Sequence, residues 1–135
     1  MITQATAEAR PQNHPCRDSA ERLLNYADYV GGADRALLRA IFDRGLSAAE
    51  FARAMGQPPR TVRQRVQRLV ERVGSARFQF VMRNRYAWSR SRRQVAESIF
   101  LRRLTQRRTA ARLSMSLHQV RREVERIQTL YEYQR

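Results

Sequence analysis

Arginine is the residue through which this chain can do chemistry, and its placement says what kind. All 27 basic side chains are arginines and lysine is absent. A guanidinium stays charged at any working pH and offers a planar fork of donors, a shape that fits phosphate oxygens and the O6/N7 edge of guanine. The arginines recur in two stretches of one design. The first is Leu46 to Leu69, LSAAEFARAMGQPPRTVRQRVQRL; the second, 58 positions on, is Leu104 to Ile127, LTQRRTAARLSMSLHQVRREVERI. Each reads as two helices joined by a tight turn, the second helix studded with arginine. A GC-rich genome would also favour arginine codons, and one arginine on a helix is often only a solvated face. Two matched faces together point to a polyanion.

Valines fix which side chains look outward. With Val62 and Val66 turned to a core, a rotation of about 100° per residue aims Arg60, Gln64 and Gln67 outward, with Arg63 at the flank. The same arithmetic exposes His118, Arg122 and Glu125 in the second stretch, with Arg121 at the flank. Arg60, Arg63, Arg121 and Arg122 suit guanine, and Gln64 suits adenine. Gln67 shares that face, His118 suits a base or a phosphate, and Glu125 suits cytosine N4 or lies beyond the groove. Arg68, Arg92, Arg93, Arg103, Arg107, Arg108 and Arg112 are candidates for phosphate contacts. Taking Gly74 as the break, the first part holds 12 arginines against 8 acids (+4) and the remainder 15 against 4 (+11). The second part is therefore expected to supply most of the phosphate grip.

The elements that must position these residues follow from periodicity and punctuation. Residues 1–17 have no apolar period and contain Pro11 and Pro15, so they are expected to be a disordered leader. Asp18 or Ser19 then caps a helix to about Val30, buried through Leu23, Leu24, Tyr26, Ala27 and Val30, and Gly31-Gly32 ends it. Asp34 to Arg44 is the next helix, carrying Leu37, Leu38, Ile41 and Phe42, and Gly45 stops it. Ser47 and Glu50 form a capping box; Phe51, Ala52 and Met55 face inward; Gly56 makes the turn. Pro59 to about Val73 is the arginine helix, with Val62, Val66, Leu69 and Val73 as its seam. Gly74-Ser75 divides the chain into 18–74 and 75–135.

The second part repeats the plan. Ser91 to Arg103 is helical through Val95, Ile99 and Phe100, and Thr105 opens the next helix. Ser114 stands at the turn position of Gly56, although serine fits a positive backbone angle less well. Ser116 with Gln119 caps the last helix, which buries Val120, Val124, Ile127, Leu130 and Tyr131. The stretch 76–88, ARFQFVMRNRYAW, reads two ways. Phe78, Phe80 and Met82 alternate like a strand of a short β-wing, whereas Val81, Met82, Arg85 and Trp88 fit a helix. The offset of 58 lays Val81-Met82 on Leu23-Leu24 and Trp88 on Val30, which favours the helix.

Composition sets the outer limits. The 135 residues carry a formal charge of +15, a pI of about 11.6 and 42% hydrophobic residues, enough for one or two small all-α cores. No apolar run can span a bilayer and no signal peptide is recognisable, so a cytoplasmic protein is expected. Cys16 is the only cysteine, so neither an internal disulfide nor a zinc site is expected. There is no nucleophile–base pair, carboxylate dyad or phosphate-binding glycine loop, so neither an enzyme nor a cofactor is expected.

The two stretches resemble the helix-turn-helix of sigma-factor region 4 and related bacterial regulators. That pattern opens hydrophobic-Ser-xx-Glu-hydrophobic-Ala and has a Thr-Val-Arg step in the reading helix. LSAAEFARAMG and RTVRQRVQRL match it. The second stretch matches more loosely, with Arg108 for the glutamate and Gln119 for the threonine. The resemblance covers roughly 34–73 and 92–130. It implies two tandem helix-turn-helix repeats, a double-stranded DNA partner read through the major groove, and transcription regulation in the nucleoid. RNA polymerase is a further partner the family implies. No region 2 is recognisable, so a complete sigma factor is not expected. The rival readings are an RNA-binding protein and a protein-interaction module of the transcription machinery.

Overall fold

A computed structural model describes residues 17–134. The described residues are helical and form two compact units that divide between Gly74 and Ser75. The leader expected over 1–17 lies outside them, apart from Arg17, which is helical.

The first unit begins with α1 (Arg17–Tyr26), whose helix tightens into a 3₁₀ turn at Ala27–Tyr29. The expected caps Asp18 and Ser19 therefore lie inside the helix. α2 (Gly32–Leu38) widens into a π-helical turn over Arg39–Asp43. Then come α3 (Ala48–Met55) and α4 (Pro59–Gly74). Leu23, Tyr26, Leu37, Leu38, Phe51, Ala52, Val62, Leu69 and Val73 make the core. Each such aliphatic residue gains about 1.5–3 kcal/mol from leaving water. Arg35 ties α2 back to the end of α1, donating to the carbonyls of Ala27 and Val30, each at 3.1 Å. The Arg72 guanidinium lies over the Tyr26 ring and bonds its hydroxyl, which joins α4 to α1.

The second unit has the same element order, shifted by 58 residues. It comprises α5 (Ala76–Asn84) with a 3₁₀ turn at Arg85–Ala87, then α6 (Arg90–Ala96) with a π-helical turn at Glu97–Leu101. α7 (Gln106–Leu113) and α8 (Leu117–Gln134) follow. The wide turns match bond for bond: Leu46 N–H reaches the Ala40 carbonyl at 2.9 Å, and Leu104 N–H reaches that of Ser98 at 2.9 Å. The left-handed residues that end these turns also match, Gly45 at φ 78° and Arg103 at φ 62°.

The stretch 76–88 contains no strand. Ser75 caps α5, its hydroxyl accepting from Phe78 N–H at 3.3 Å, and Phe78, Phe80 and Val81 are all buried. Phe78 and Phe80 can both be inside because α5 is covered on more than one side. Phe80 meets Trp88 at 5.8 Å and Tyr131 at 5.4 Å between ring centres. The alternation that suggests a wing is thus the two-sided burial of a helix.

Several residues expected inward are not core; Leu24, Phe42, Ile99 and Phe100 are only half-buried. Met55 is 55% exposed, because α3 ends on it and Gly56 turns the chain away before anything covers the side chain. Leu130 and Tyr131 share α8, but only Tyr131 finds a neighbour, and Leu130 is exposed. Val66 and Val124 are half-buried rather than core, lying at the edge of the seam.

Candidate nucleic-acid interface

Each arginine helix is launched by a short, fully bonded turn. In the first unit Ser47 and Glu50 cap α3 reciprocally: the Ser47 hydroxyl accepts from Glu50 N–H at 3.0 Å, and the Glu50 carboxylate accepts from Ser47 N–H at 2.8 Å. The bond from Ser47 N–H, then the nearby Ser47 hydroxyl and the charge of Arg53, hold the Glu50 carboxyl below its ordinary pKa. α3 then ends at Gly56, left-handed at φ 67°, and Gln57 N–H closes onto the Ala52 carbonyl at 2.9 Å. In the second unit Ser114 adopts the same conformation at φ 54°, and Met115 N–H closes onto the Ala110 carbonyl at 3.0 Å. Ser116 and Gln119 form the reciprocal cap of α8 at 3.1 and 3.0 Å. At α7 the cap is one-sided. Thr105 accepts from Arg108 N–H at 3.1 Å, but Arg108, standing where the first unit has Glu50, cannot return the bond.

Above these turns the candidate base readers come out on one face. Val62 and Val120 are fully buried, and Arg60, Arg63, Gln64 and Gln67 are all exposed on α4. His118, Arg121, Arg122 and Glu125 are exposed at the matching positions of α8. Gln67 is partly engaged, donating to Glu71 at 3.2 Å.

A groove of about 320 Å³ runs beside the α4 face, between Arg60, Arg63, Gln64 and Gln67 on one side and an apolar floor of Ile41, Ala48 and Val66. On α8 the corresponding groove, about 370 Å³, follows the other flank, lined by Arg92, Arg122, Glu125, Arg126, Thr129 and Leu130.

The phosphate candidates divide. Arg68, Arg103, Arg107, Arg108 and Arg112 are exposed. Arg92 is not at liberty: its guanidinium bonds Glu123 at 2.9 Å and is only 26% exposed. Arg93 is half-buried and lies 5.7 Å from the Tyr86 ring centre. Two of the four acids of the second unit are spent inside the fold. Glu97 holds the buried Arg85 at 3.2 Å, and Glu123 holds Arg92 and, at 3.5 Å, Arg126.

A matched ion pair escapes sequence reading. In the first unit Arg65 of α4 bonds Asp34 of α2 at 2.9 Å. Shifted by 58, Arg65 becomes Glu123 and Asp34 becomes Arg92, the pair at 2.9 Å in the second unit. The bridge stands in the same place with its polarity reversed. The signal was present as opposite charges at the same two offset positions, but identity matching discards such a swap.

Among the described residues no cluster of His, Cys, Asp and Glu can hold a metal ion, and no helix is long and apolar enough to cross a membrane. Compared with protein-family models, curated proteins and solved structures, the chain matches none.

Proposed function

We propose that this chain is a double-stranded DNA-binding protein, a bacterial transcription regulator with two tandem helix-turn-helix repeats similar to sigma-factor region 4. It reads the major groove with α4 and α8 and works in the cytoplasm at the nucleoid. The observation that carries the reading is the pair of exposed faces at matched positions, Arg60-Arg63-Gln64-Gln67 and His118-Arg121-Arg122-Glu125, each behind a left-handed turn and backed by a buried valine. In helix-turn-helix docking such residues meet base edges. The exposed arginines of α7 and the net charge of +15 supply sequence-independent attraction to phosphate.

Selection of bound sequences from a random duplex pool, followed by fluorescence anisotropy on the winner, tests this. Arg63→Ala and Arg121→Ala should each weaken the selected site by about 1–3 kcal/mol and relax preference at one base position. If both variants keep wild-type affinity and preference, these faces are not the readers. If single-stranded RNA outcompetes duplex DNA, or the chain retards no duplex at low salt while retaining RNA polymerase, a rival reading replaces this one.

A further inference from the structure

Resting on that reading, we propose that the α4 groove senses the C5-methyl group of a pyrimidine beside a guanine. Its lining combines the buried or half-buried apolar Ile41, Ala48 and Val66 with the exposed Arg60, Arg63, Gln64 and Gln67. A methyl projecting into the major groove needs an apolar partner, while a neighbouring guanine offers acceptors to a guanidinium. The groove therefore complements a methyl and two acceptors at once. In the second unit glutamine (Gln106) replaces the floor residue Ala48, so the property belongs to α4 alone. Thymine and 5-methylcytosine share this group. The test uses the full chain and the selected duplex, with each thymine replaced in turn by deoxyuridine and each cytosine by 5-methylcytosine. Loss of one methyl should weaken binding about three- to fivefold, the worth of one buried carbon. In Val66→Thr, which keeps the branched shape but puts a hydroxyl on the floor, that difference should vanish, with affinity for the methyl-bearing duplex falling to that of the deoxyuridine duplex. Unchanged affinity for every deoxyuridine duplex and for every 5-methylcytosine duplex overturns the proposal and leaves DNA binding intact; failure to bind any duplex overturns both.

A separate observation carries a second inference. We infer that the polarity-reversed pairs, Asp34–Arg65 and Arg92–Glu123, allot each arginine helix to its own unit. The two cores share Ile41/Ile99, Ala52/Ala110 and Val62/Val120 and differ at other buried positions such as Tyr26/Asn84 and Phe51/Thr109, so the charge pairs add to a discrimination that packing only begins. Chains with such internal likeness misassemble by exchanging equivalent elements. Were α8 to dock on α2, Glu123 would meet Asp34; were α4 to dock on α6, Arg65 would meet Arg92. Half-buried like charges in contact make both exchanges unfavourable, so the reversal excludes wrong partners more than it strengthens right ones. The test is refolding of the full chain from denaturant. Arg92→Asp with Glu123→Arg leaves a bridge in each unit but gives both the same polarity; Asp34→Arg with Arg65→Glu does likewise. Each double variant should at least roughly double the fraction lost to misfolded species. The quadruple variant, which reverses both pairs and restores the difference, should recover the wild-type yield. Wild-type yields in both doubles, or a quadruple as poor as the doubles, would overturn the inference.

Discussion

At the scale of single residues, the two units differ where the backbone is under most constraint. Gly56 is left-handed with nothing within 4 Å of where a Cβ would sit, so substituting it meets backbone strain and no collision. Ser114 bears that strain already. Gly56→Ala should therefore cost about 1 kcal/mol, and Ser114→Gly should gain a similar amount, read from urea midpoints at an unchanged slope. Thr109 is a second local weakness: it is fully buried and its hydroxyl has no hydrogen-bond partner. Thr109→Val keeps the shape and removes the stranded group, so stability should rise by about 1 kcal/mol or more. A loss of stability would mean that the hydroxyl is satisfied in solution. His118, Arg121 and Arg122 are exposed on α8.

At the scale of elements, the caps have a pH signature. Glu50 has a lowered pKa in the folded state, first through its bond from Ser47 N–H. The unfolded chain thus binds the proton more readily, and the stabilisation is fully present above the ordinary carboxylate pKa. It is lost as pH falls through the lower folded value. Glu50→Gln keeps an acceptor for Ser47 N–H and should flatten that part of the acid limb, seen by thermal melts between neutral pH and about pH 3. An acid limb identical to wild type would assign the loss elsewhere. Caps of this kind were legible because they are local: Ser47/Glu50 and Ser116/Gln119 need only a spacing of three. The glycine and serine turns were legible for the same reason. Met55, Leu130, Val66 and Val124 were not, because whether an apolar stripe is covered depends on where the next element goes. The burial of Arg92 against Glu123 depends on contact across 31 residues and was invisible to periodicity. The exposed face of α4 followed from turning Val62 and Val66 inward, although only Val62 is fully buried.

At the scale of the molecule, charge is unevenly divided, +4 against +11, and internal bridges leave most arginines of the second unit at its surface. Neutralising Arg107, Arg108 and Arg112 together, as glutamines, should lower the salt slope of duplex binding by about 2–3 units, at about 0.9 per phosphate contact. Neutralising Arg39, Arg44 and Arg53 should change it less. Equal slopes would show that the excess charge does not set the grip. The π-helical turns at Arg39–Asp43 and Glu97–Leu101 add one last consequence. Each holds a residue more than an α-turn would and closes its helix, so losing one there would tighten the last turn and shift where the next helix begins. Shortening is ordinarily best tolerated in solvent-facing connections. In this chain a length-critical spot is the last turn of a helix, where a single missing codon would displace the helix pair that follows it.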